Sequence, residues 1–443
     1  MEIVIVGASF AGLSAAIECR ATHPEASIHL IDREKEVGYY PNALNWKLKG
    51  SLTSWDQARI SLLKEAEQAG LDWKLGTSLI GLDGERKTVS LKKGETVFEL
   101  AYDYLILAMG ASQIWERSSG ELESRLLSSK TIGAAQASLE KLKDAQSIAL
   151  IGGGQIGLES LEALSQLPIR LSLFEAQDSL LAKYFDREMT ETLRMELEEA
   201  GLDLHLSETV NDIRLSASGQ KLNLESIHGQ YEADYLLIGT NFKPNSQLVD
   251  GVLKLNADGT IWVDEFLQTS QPAVFAVGDL IQLPFAFLGK AYLPMINHAI
   301  LTGRQVAQNL VEQQWPLKEV QRMISSHLFG YYMTSVGLTE AEAQLRKEIS
   351  TLRLQRPFSD WDDRLLDFKL VLAKETGQIL GGQLVSKCQH VEQMDSLALA
   401  LSQGLCLQNY LDQSWLCLPR SRPLIPLMVE AANLYRRQLL DQD

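Results

Sequence analysis

The sequence predicts an α/β fold: two parallel-sheet domains of one plan, followed by a C-terminal α+β domain. Three observations predict it. A short β-branched run, Ile3-Val4-Ile5-Val6, leads into a glycine turn from Gly7 to Gly12. The same succession returns as Ser147-Ile-Ala-Leu-Ile151 followed by Gly152 to Gly157. Beyond Trp315-Pro316 the composition shifts to alternating segments. At 443 residues one core is excluded, because cores stop growing near roughly 250 to 300 residues and longer chains split.

A wholly apolar run is expected of a parallel strand covered on both faces. After Gly12, the residues from Leu13 to about Arg20 favour a helix, and Ser27 to Asp32 is the next strand, which completes a β-α-β unit. The second copy continues with a helix through Leu164 and a strand from Arg170 to Glu175. Tyr102 to Gly110 and Ala233 to Gly239 are buried strands ending in glycine, and each closes its own domain. Ala273 to Asp279 is a further strand ending in Gly278-Asp279, ahead of a helix near Asn297 to Leu310. Asp367 to Leu372 and Gln378 to Val385, joined by Glu375-Thr376-Gly377, read as an antiparallel hairpin. The expected domains are residues 1–112 with 241–315, residues 113–240, and residues 316–443.

Charge removes several function classes. Lys plus Arg number 41 against 57 Asp plus Glu, a formal charge of -16, which repels phosphate backbones and anionic lipid surfaces. No nucleic-acid partner is expected. Cys19, Cys388, Cys406 and Cys417 form no CxxC pair, and seven histidines show no metal-ligand spacing, so no metal is expected. No stretch of about 18 apolar residues occurs, and the opening MEIVIVGASFAG reads as a strand rather than a signal peptide. The expectation is a cytoplasmic protein with no membrane contact and with reduced cysteines.

A strand-to-helix glycine turn brings backbone amides and a helix dipole to a pyrophosphate, and an acid about 20 residues on bonds the ribose. The first turn reads Gly7-Ala8-Ser9-Phe10-Ala11-Gly12, with Asp32 twenty residues beyond Gly12. Ser9 stands where glycine is usual. The second reads Gly152-Gly153-Gly154-Gln155-Ile156-Gly157, with Glu175 eighteen beyond Gly157. One such turn alone is weak evidence, and its glycines can simply tighten packing. Two copies, each with strand, helix and acid, point to two Rossmann-like dinucleotide-binding domains. An acid at Glu175 disfavours a ribose 2′-phosphate, hence NADH over NADPH.

The order of these pieces, with Gly278-Asp279 after both turns, resembles the FAD-dependent pyridine nucleotide-disulfide oxidoreductase family, in particular its NADH oxidase, NADH peroxidase and coenzyme A disulfide reductase group. The resemblance runs nearly end to end. It implies an FAD site built from Gly7, Ser9, Phe10, Ala11, Gly12, Asp32 and Arg33, with Asn42, Ala108, Gly110, Gly278, Asp279, Asn297 and His298. It implies an NADH site at Gly152, Gly154, Gln155, Ile156, Gly157, Glu175 and Gly239. The C-terminal third, with Ser335-Val-Gly337-Leu and the Gly381-Gly382 hairpin, resembles that family's dimerisation domain, which implies a homodimer.

Two departures from the family stand out. Its redox cysteine falls at Asn42, in Gly38-Tyr-Tyr-Pro-Asn42-Ala-Leu44-Asn-Trp46, and the peroxidase branch's helper histidine falls at Phe10. An amide forms no thiolate, sulfenic acid or mixed disulfide, so peroxide and disulfide reduction through Asn42 are excluded. Hydride transfer from NADH needs no sulfur. Cys417 lies where the family's partner subunit approaches the flavin, although a free cysteine in an apolar run is ordinarily a buried small hydrophobe. Tyr39 and Tyr40 either line the acceptor pocket or are half-buried aromatics. His298 is either a donor to the reduced flavin or a capping or surface histidine. Gln155 replaces an aromatic that relatives use to shield the flavin.

The leading expectation is an NADH oxidase or diaphorase that passes electrons to oxygen or another small-molecule acceptor. A second is NADH-dependent reduction of a redox protein, as in ferredoxin and rubredoxin reductases. Of their loop, Tyr-x-Arg-Pro-x-Leu-Ser-Lys, only Tyr39 and Leu44 survive. A third is a non-catalytic FAD or NADH sensor or scaffold.

Overall fold

The β-branched run at the N-terminus does what its apolarity requires and sits at the middle of a five-stranded parallel sheet. In the computed structural model, which describes residues 1–113, 120–240, 242–359, 361–415 and 425–440, the order of that sheet is Val274–Ala276, Tyr104–Leu107, Glu2–Val6, Ser27–Asp32, Asp72–Leu75. Ile3, Val4 and Ile5 are fully buried in it. Helix Phe10–Thr22 lies against helix Ile296–Ala307. A Cβ on Gly303 would stand 2.3 Å from the Ala11 carbonyl oxygen, so only glycine allows this approach.

These elements belong to one of two units into which the chain divides. The first comprises Met1–Ala145, Thr240–Pro284 and Leu288–Glu319, and the second Gln146–Gly239, Phe285–Phe287 and Val320–Asp443. The second unit repeats the parallel plan in the order Asp203–His205, Arg170–Phe174, Ser147–Ile151, Tyr235–Ile238. It adds an antiparallel sheet of five strands, ordered Met323–Leu328, Tyr331–Gly337, Ile379–Ser386, Asp362–Ala373, Ile349–Ser359. The expected hairpin is its third and fourth strands, with Lys369 opposite Gln383. Phe368, Leu370 and Leu384 pack beneath helices Val391–Ser402 and Leu427–Leu440 through Leu397, Leu401, Ala431 and Ala432. Each fully buried Leu or Phe of this kind contributes about 1.5–3 kcal/mol.

The units divide differently from the three expected domains, and the two largest differences have physical causes. Helix Ile132–Lys141 falls in the first unit because Ile132 and Ala135 are buried with Ala43 and Leu44. The second parallel sheet and the antiparallel sheet fall together in one unit, joined through a buried ammonium. Lys369, 2% exposed, donates to Asp186 at 2.8 Å, to Glu340 at 2.6 Å and to Glu188. Asp186 also accepts from Gln383 Nε2 at 2.7 Å and from the Glu340 amide at 3.0 Å. Burial opposes the Lys369 charge, yet its hydrogen bonds to Asp186, Glu188 and Glu340 outweigh it and hold its pKa above the ordinary lysine value. The Asp186, Glu188 and Glu340 oxygens lie close enough together to hold a metal ion, and Lys369 is the cation they hold here.

No helix among the described residues is long and apolar enough to cross a membrane.

Candidate functional site: two glycine turns and an aromatic loop

At the first turn Gly7 adopts φ +111°, and a Cβ there would lie 2.2 Å from the Ala108 carbonyl oxygen. A Cβ on Gly12 would lie 1.7 Å from the Gly7 carbonyl oxygen. Strand end, turn and helix start therefore touch through backbone alone. Ser9 is the N-cap and makes no side-chain cap bond, and the earliest amide bonded back into the helix is Leu13, to the Ser9 carbonyl at 2.8 Å. The amides of Phe10, Ala11 and Gly12 are thus the orphan donors at the positive end of a 13-residue helix. Asp32 Oδ2 accepts from the Ala8 amide at 2.7 Å and Oδ1 from the Glu34 amide at 2.8 Å. The acid holds the turn in shape, and its remaining lone pairs are free for a ribose hydroxyl. Arg33 is exposed, with Nε 3.6 Å from Glu34.

Two further segments converge on this turn. Gly110, at φ +65°, has open space where a side chain would stand. Its strand end is clamped by Asn245, which donates from Nδ2 to the Met109 carbonyl and from its own amide to the Gly110 carbonyl, both at 2.9 Å. Sequence reasoning missed Asn245, since nothing local marks it. Gly278, at φ +65°, stands with its Cβ position 3.0 Å from Ala11 Cβ and donates its amide to Thr302 Oγ1 at 3.0 Å. The half-buried Asp279 carboxylate beside it bonds no described group, and burial raises its pKa while Lys130 and His298 pull it down.

His298 corrects an expectation. It neither caps a helix nor lies at the surface: Met295 is the N-cap, and His298 is 5% exposed with Nδ1 3.4 Å from the Leu293 carbonyl. The helix turns it inward toward Asp279, whereas Asn297, one residue earlier, is exposed.

The loop from Gly38 lies directly on the turn, with the Gly38 amide 3.3 Å from the Ala8 carbonyl and the Tyr40 amide 3.0 Å from the Ala58 carbonyl. Phe10, Tyr40 and Trp46 form a ladder, with ring centroids 5.8 Å and 5.2 Å apart. Tyr39 is buried outright rather than half-buried, against Trp55, and burial pushes its phenol up to about 12. Asn42 is the N-cap of helix Ala43–Leu48, but its side chain makes no cap bond. Cys19 is fully buried on helix Phe10–Thr22, and burial drives its thiol well above the ordinary range. Cys388 and Cys406 lie in the second unit. Cys417 lies outside the described residues.

The second turn repeats the first almost bond for bond. Gly152 has φ +104°, and a Cβ on Gly157 would lie 1.9 Å from the Gly152 carbonyl oxygen. Leu158 is the earliest amide bonded into helix Gln155–Leu164, to the Gly154 carbonyl at 3.0 Å. Glu175 Oε2 accepts from the Gly153 amide at 2.6 Å and Oε1 from the Gln177 amide at 2.8 Å. Gly239 comes close enough that a Cβ would meet the Gly157 amide at 3.1 Å. Gln155 Nε2 reaches Glu159 at 3.0 Å and the Ser325 carbonyl at 3.4 Å, and Ile156 is 38% exposed. A connecting segment then crosses the turn: the Leu181 amide bonds the Gly153 carbonyl at 2.9 Å, on the way to the Lys369 cage at Asp186. Sequence reasoning missed that cage, because Lys369, Glu188 and Glu340 carry no spacing signal.

Both turns have the shape and charge for a dinucleotide pyrophosphate. Comparison with known proteins agrees. The family model described as pyridine nucleotide-disulphide oxidoreductase matches residues 1–304. An NADH oxidase of Enterococcus faecalis is 28% identical over 417 residues, covering 92% of this chain and 93% of the relative. A crystal structure of a pyridine nucleotide-disulfide family oxidoreductase from Enterococcus faecalis V583 superposes with a TM-score of 0.88 at 30% identity, over 100% of both chains. An NAD-dependent persulfide reductase from A. fulgidus superposes with a TM-score of 0.92 at 26% identity, over 100% of this chain and 84% of the other.

Proposed function

Because this chain belongs to the pyridine nucleotide-disulphide oxidoreductase family, whose model spans residues 1–304, we propose that it is an NADH oxidase or diaphorase that carries electrons from NADH to a small acceptor with no cysteine relay. At the coarser level it is an oxidoreductase, NADH-dependent and flavin-containing, as its relatives are. The observation that carries the finer reading is the pairing of two complete dinucleotide turns with a chain that has no cysteine from residue 20 to residue 387.

The first unit fits FAD. Its turn is closed so tightly that a Cβ on Gly7 or Gly12 would collide with backbone, its helix start offers orphan amides, and the Asp279 carboxylate hydrogen-bonds no described group and suits a polyhydroxyl chain. FAD, when bound, supplies a carrier that takes two electrons from NADH and releases them to an acceptor. Gly7, Ser9 to Gly12, Asp32, Gly278 and Asp279 would hold it. The turn from Gly152 to Gly157 with Glu175 would hold NADH, and the Glu175 charge would reject a 2′-phosphate.

Asn42 and Phe10 occupy the acceptor side of this reading, and neither can store electrons. Electrons would therefore leave directly to the acceptor, and oxygen would be reduced to hydrogen peroxide. We assign the protein to the cytoplasm as a homodimer, in line with the sequence expectation. The test is turnover of the purified protein. Yellow protein that oxidises NADH, forms peroxide from oxygen and lacks peroxidase and coenzyme A disulfide reductase activity is the expected result. Colourless protein that takes up no added FAD would refute it.

A further inference from the structure

We propose that the acceptor taken at the aromatic loop is a neutral quinone, with its ring against the Phe10-Tyr40-Trp46 ladder and its carbonyl oxygens toward the Asn42 amide and the Tyr40 hydroxyl. The proposal rests on the NADH-dependent reading above and names its acceptor class.

Four features of the loop select this chemistry. The ladder is aromatic throughout, with centroids 5.8 Å and 5.2 Å apart and planes tilted by 58° and 57°. Tyr40 and Trp46 are only half-buried, while Tyr39, Ala43 and Leu44 beside them are buried against Ile132 and Ala135. The hydrophobic packing of the loop is thus met by the inner residues, and the outer rings keep accessible edges and faces. Electron-rich Tyr and Trp rings favour contact with a flat, electron-poor ring.

The polar groups match as well. Asn42 stands at the N-cap of its helix without a side-chain cap bond, and its Nδ2 carries two N–H donors. The Tyr40 hydroxyl bonds no described group, and it adds a third donor. Quinone carbonyls are acceptors only, so donors of this kind suit them. Charge is consistent with a neutral acceptor: Phe10, Tyr40, Asn42 and Trp46 are all uncharged. Cys19, the first unit's sole cysteine, is fully buried and offers no thiol to the loop. Dioxygen would need neither rings nor donors.

The overall reaction balances without another reactant. NADH gives two electrons and one proton, solvent gives the second proton, and the two quinone C=O groups become hydroquinone C–OH groups, leaving NAD+ and hydroquinone.

The test is anaerobic steady-state NADH oxidation by the holoprotein with a water-soluble 1,4-benzoquinone, a 1,4-naphthoquinone and ferricyanide, the last an acceptor that needs no pocket. The expected kcat/KM for the quinones exceeds that for ferricyanide by about tenfold or more. Tyr40→Leu and Trp46→Leu should each lower the quinone-to-ferricyanide ratio by about two- to tenfold, the size of one aromatic contact. Asn42→Leu should lower it similarly through the lost donors, and Tyr40→Phe should recover the ring-dependent part. A ratio that stays constant across these variants, or quinones no better than ferricyanide, would overturn the proposal while leaving NADH-dependent turnover intact. Absence of turnover with every acceptor, ferricyanide included, would overturn both this proposal and the reading beneath it. If the leucine variants fail to fold, Tyr40→Phe and Trp46→Phe with the two quinones decide it through the KM for quinone.

Discussion

A Cβ on Gly12 would come within 1.7 Å of the Gly7 carbonyl oxygen, one on Gly157 within 1.9 Å of the Gly152 carbonyl oxygen, and each turn's acid bonds the residue after its first glycine, at 2.7 Å and 2.6 Å. Beyond their side chains, the two turns differ in what covers them. The first is covered by the Gly38 loop and its aromatic ladder, within its own unit. The second is crossed by the segment through Leu181, which ends in the Lys369 cage against the antiparallel sheet. Local geometry is shared because any dinucleotide pyrophosphate demands it. The cover is where the chemistry of each site is decided.

The largest expected effect comes from filling each turn. Gly12→Val should yield protein without flavin, and Gly157→Val should keep its flavin but raise the KM for NADH by about a hundredfold or more, since backbone cannot yield to a Cβ at these distances. Flavin content and NADH kinetics check it. Loss of flavin from both variants would break the division of labour between the turns.

Next is the cage. Lys369→Met leaves Asp186, Glu188 and Glu340 without their cation and should cost about 3–5 kcal/mol, read as a lower thermal midpoint of the second unit. The Lys369 pKa is raised on folding, so its stabilisation is complete below the ordinary lysine value of 10.5 and is lost as pH rises through the folded value. The variant should lack that alkaline loss. NADH affinity should fall with it while flavin content holds.

Glu175→Arg is smaller and sharper. It should move the ratio of NADPH to NADH efficiency by about ten- to a hundredfold, the worth of one charge-assisted contact. It also removes the acceptor for the Gly153 and Gln177 amides, so the KM for both nucleotides should rise. An unchanged ratio would place the selection elsewhere.

The smallest effect is at Asp279. Burial raises its pKa above 3.8, so in the flavin-free protein the folded state binds the extra proton and stability falls as pH rises from 3.8 through the raised value. Asp279→Asn should flatten that segment in urea midpoints measured against pH, with little change outside it.

Much of this architecture was legible because its signals are local. The paired turns, Asp32, Glu175, Gly278 and the hairpin around Lys369 each follow from adjacent residues obeying backbone sterics or strand alternation. What escaped reading is what distant segments do to one another. Gly303 carries no local signal of its role, yet it is the contact that admits Ala11. His298 reads either as a flavin donor or as a capping or surface histidine, and helix Ile296–Ala307 turns it inward, three positions past the Met295 N-cap. The second role of Asp32 and Glu175, as acceptors for their own turns, needs coordinates to be seen. Helix Ile132–Lys141 follows the first unit because Ile132 and Ala135 bury against Ala43 and Leu44, a pairing of residues almost ninety apart in sequence.

The central proposal is that flavin held at the covered first turn stores the electrons without a cysteine partner. Anaerobic titration with NADH, followed by flavin absorbance, tests it most directly. The account predicts an endpoint of two electrons per flavin, with no thiolate charge-transfer band and no change after accessible thiols are alkylated. An endpoint of four electrons per subunit would contradict it, and Cys417 would then be the first residue to replace.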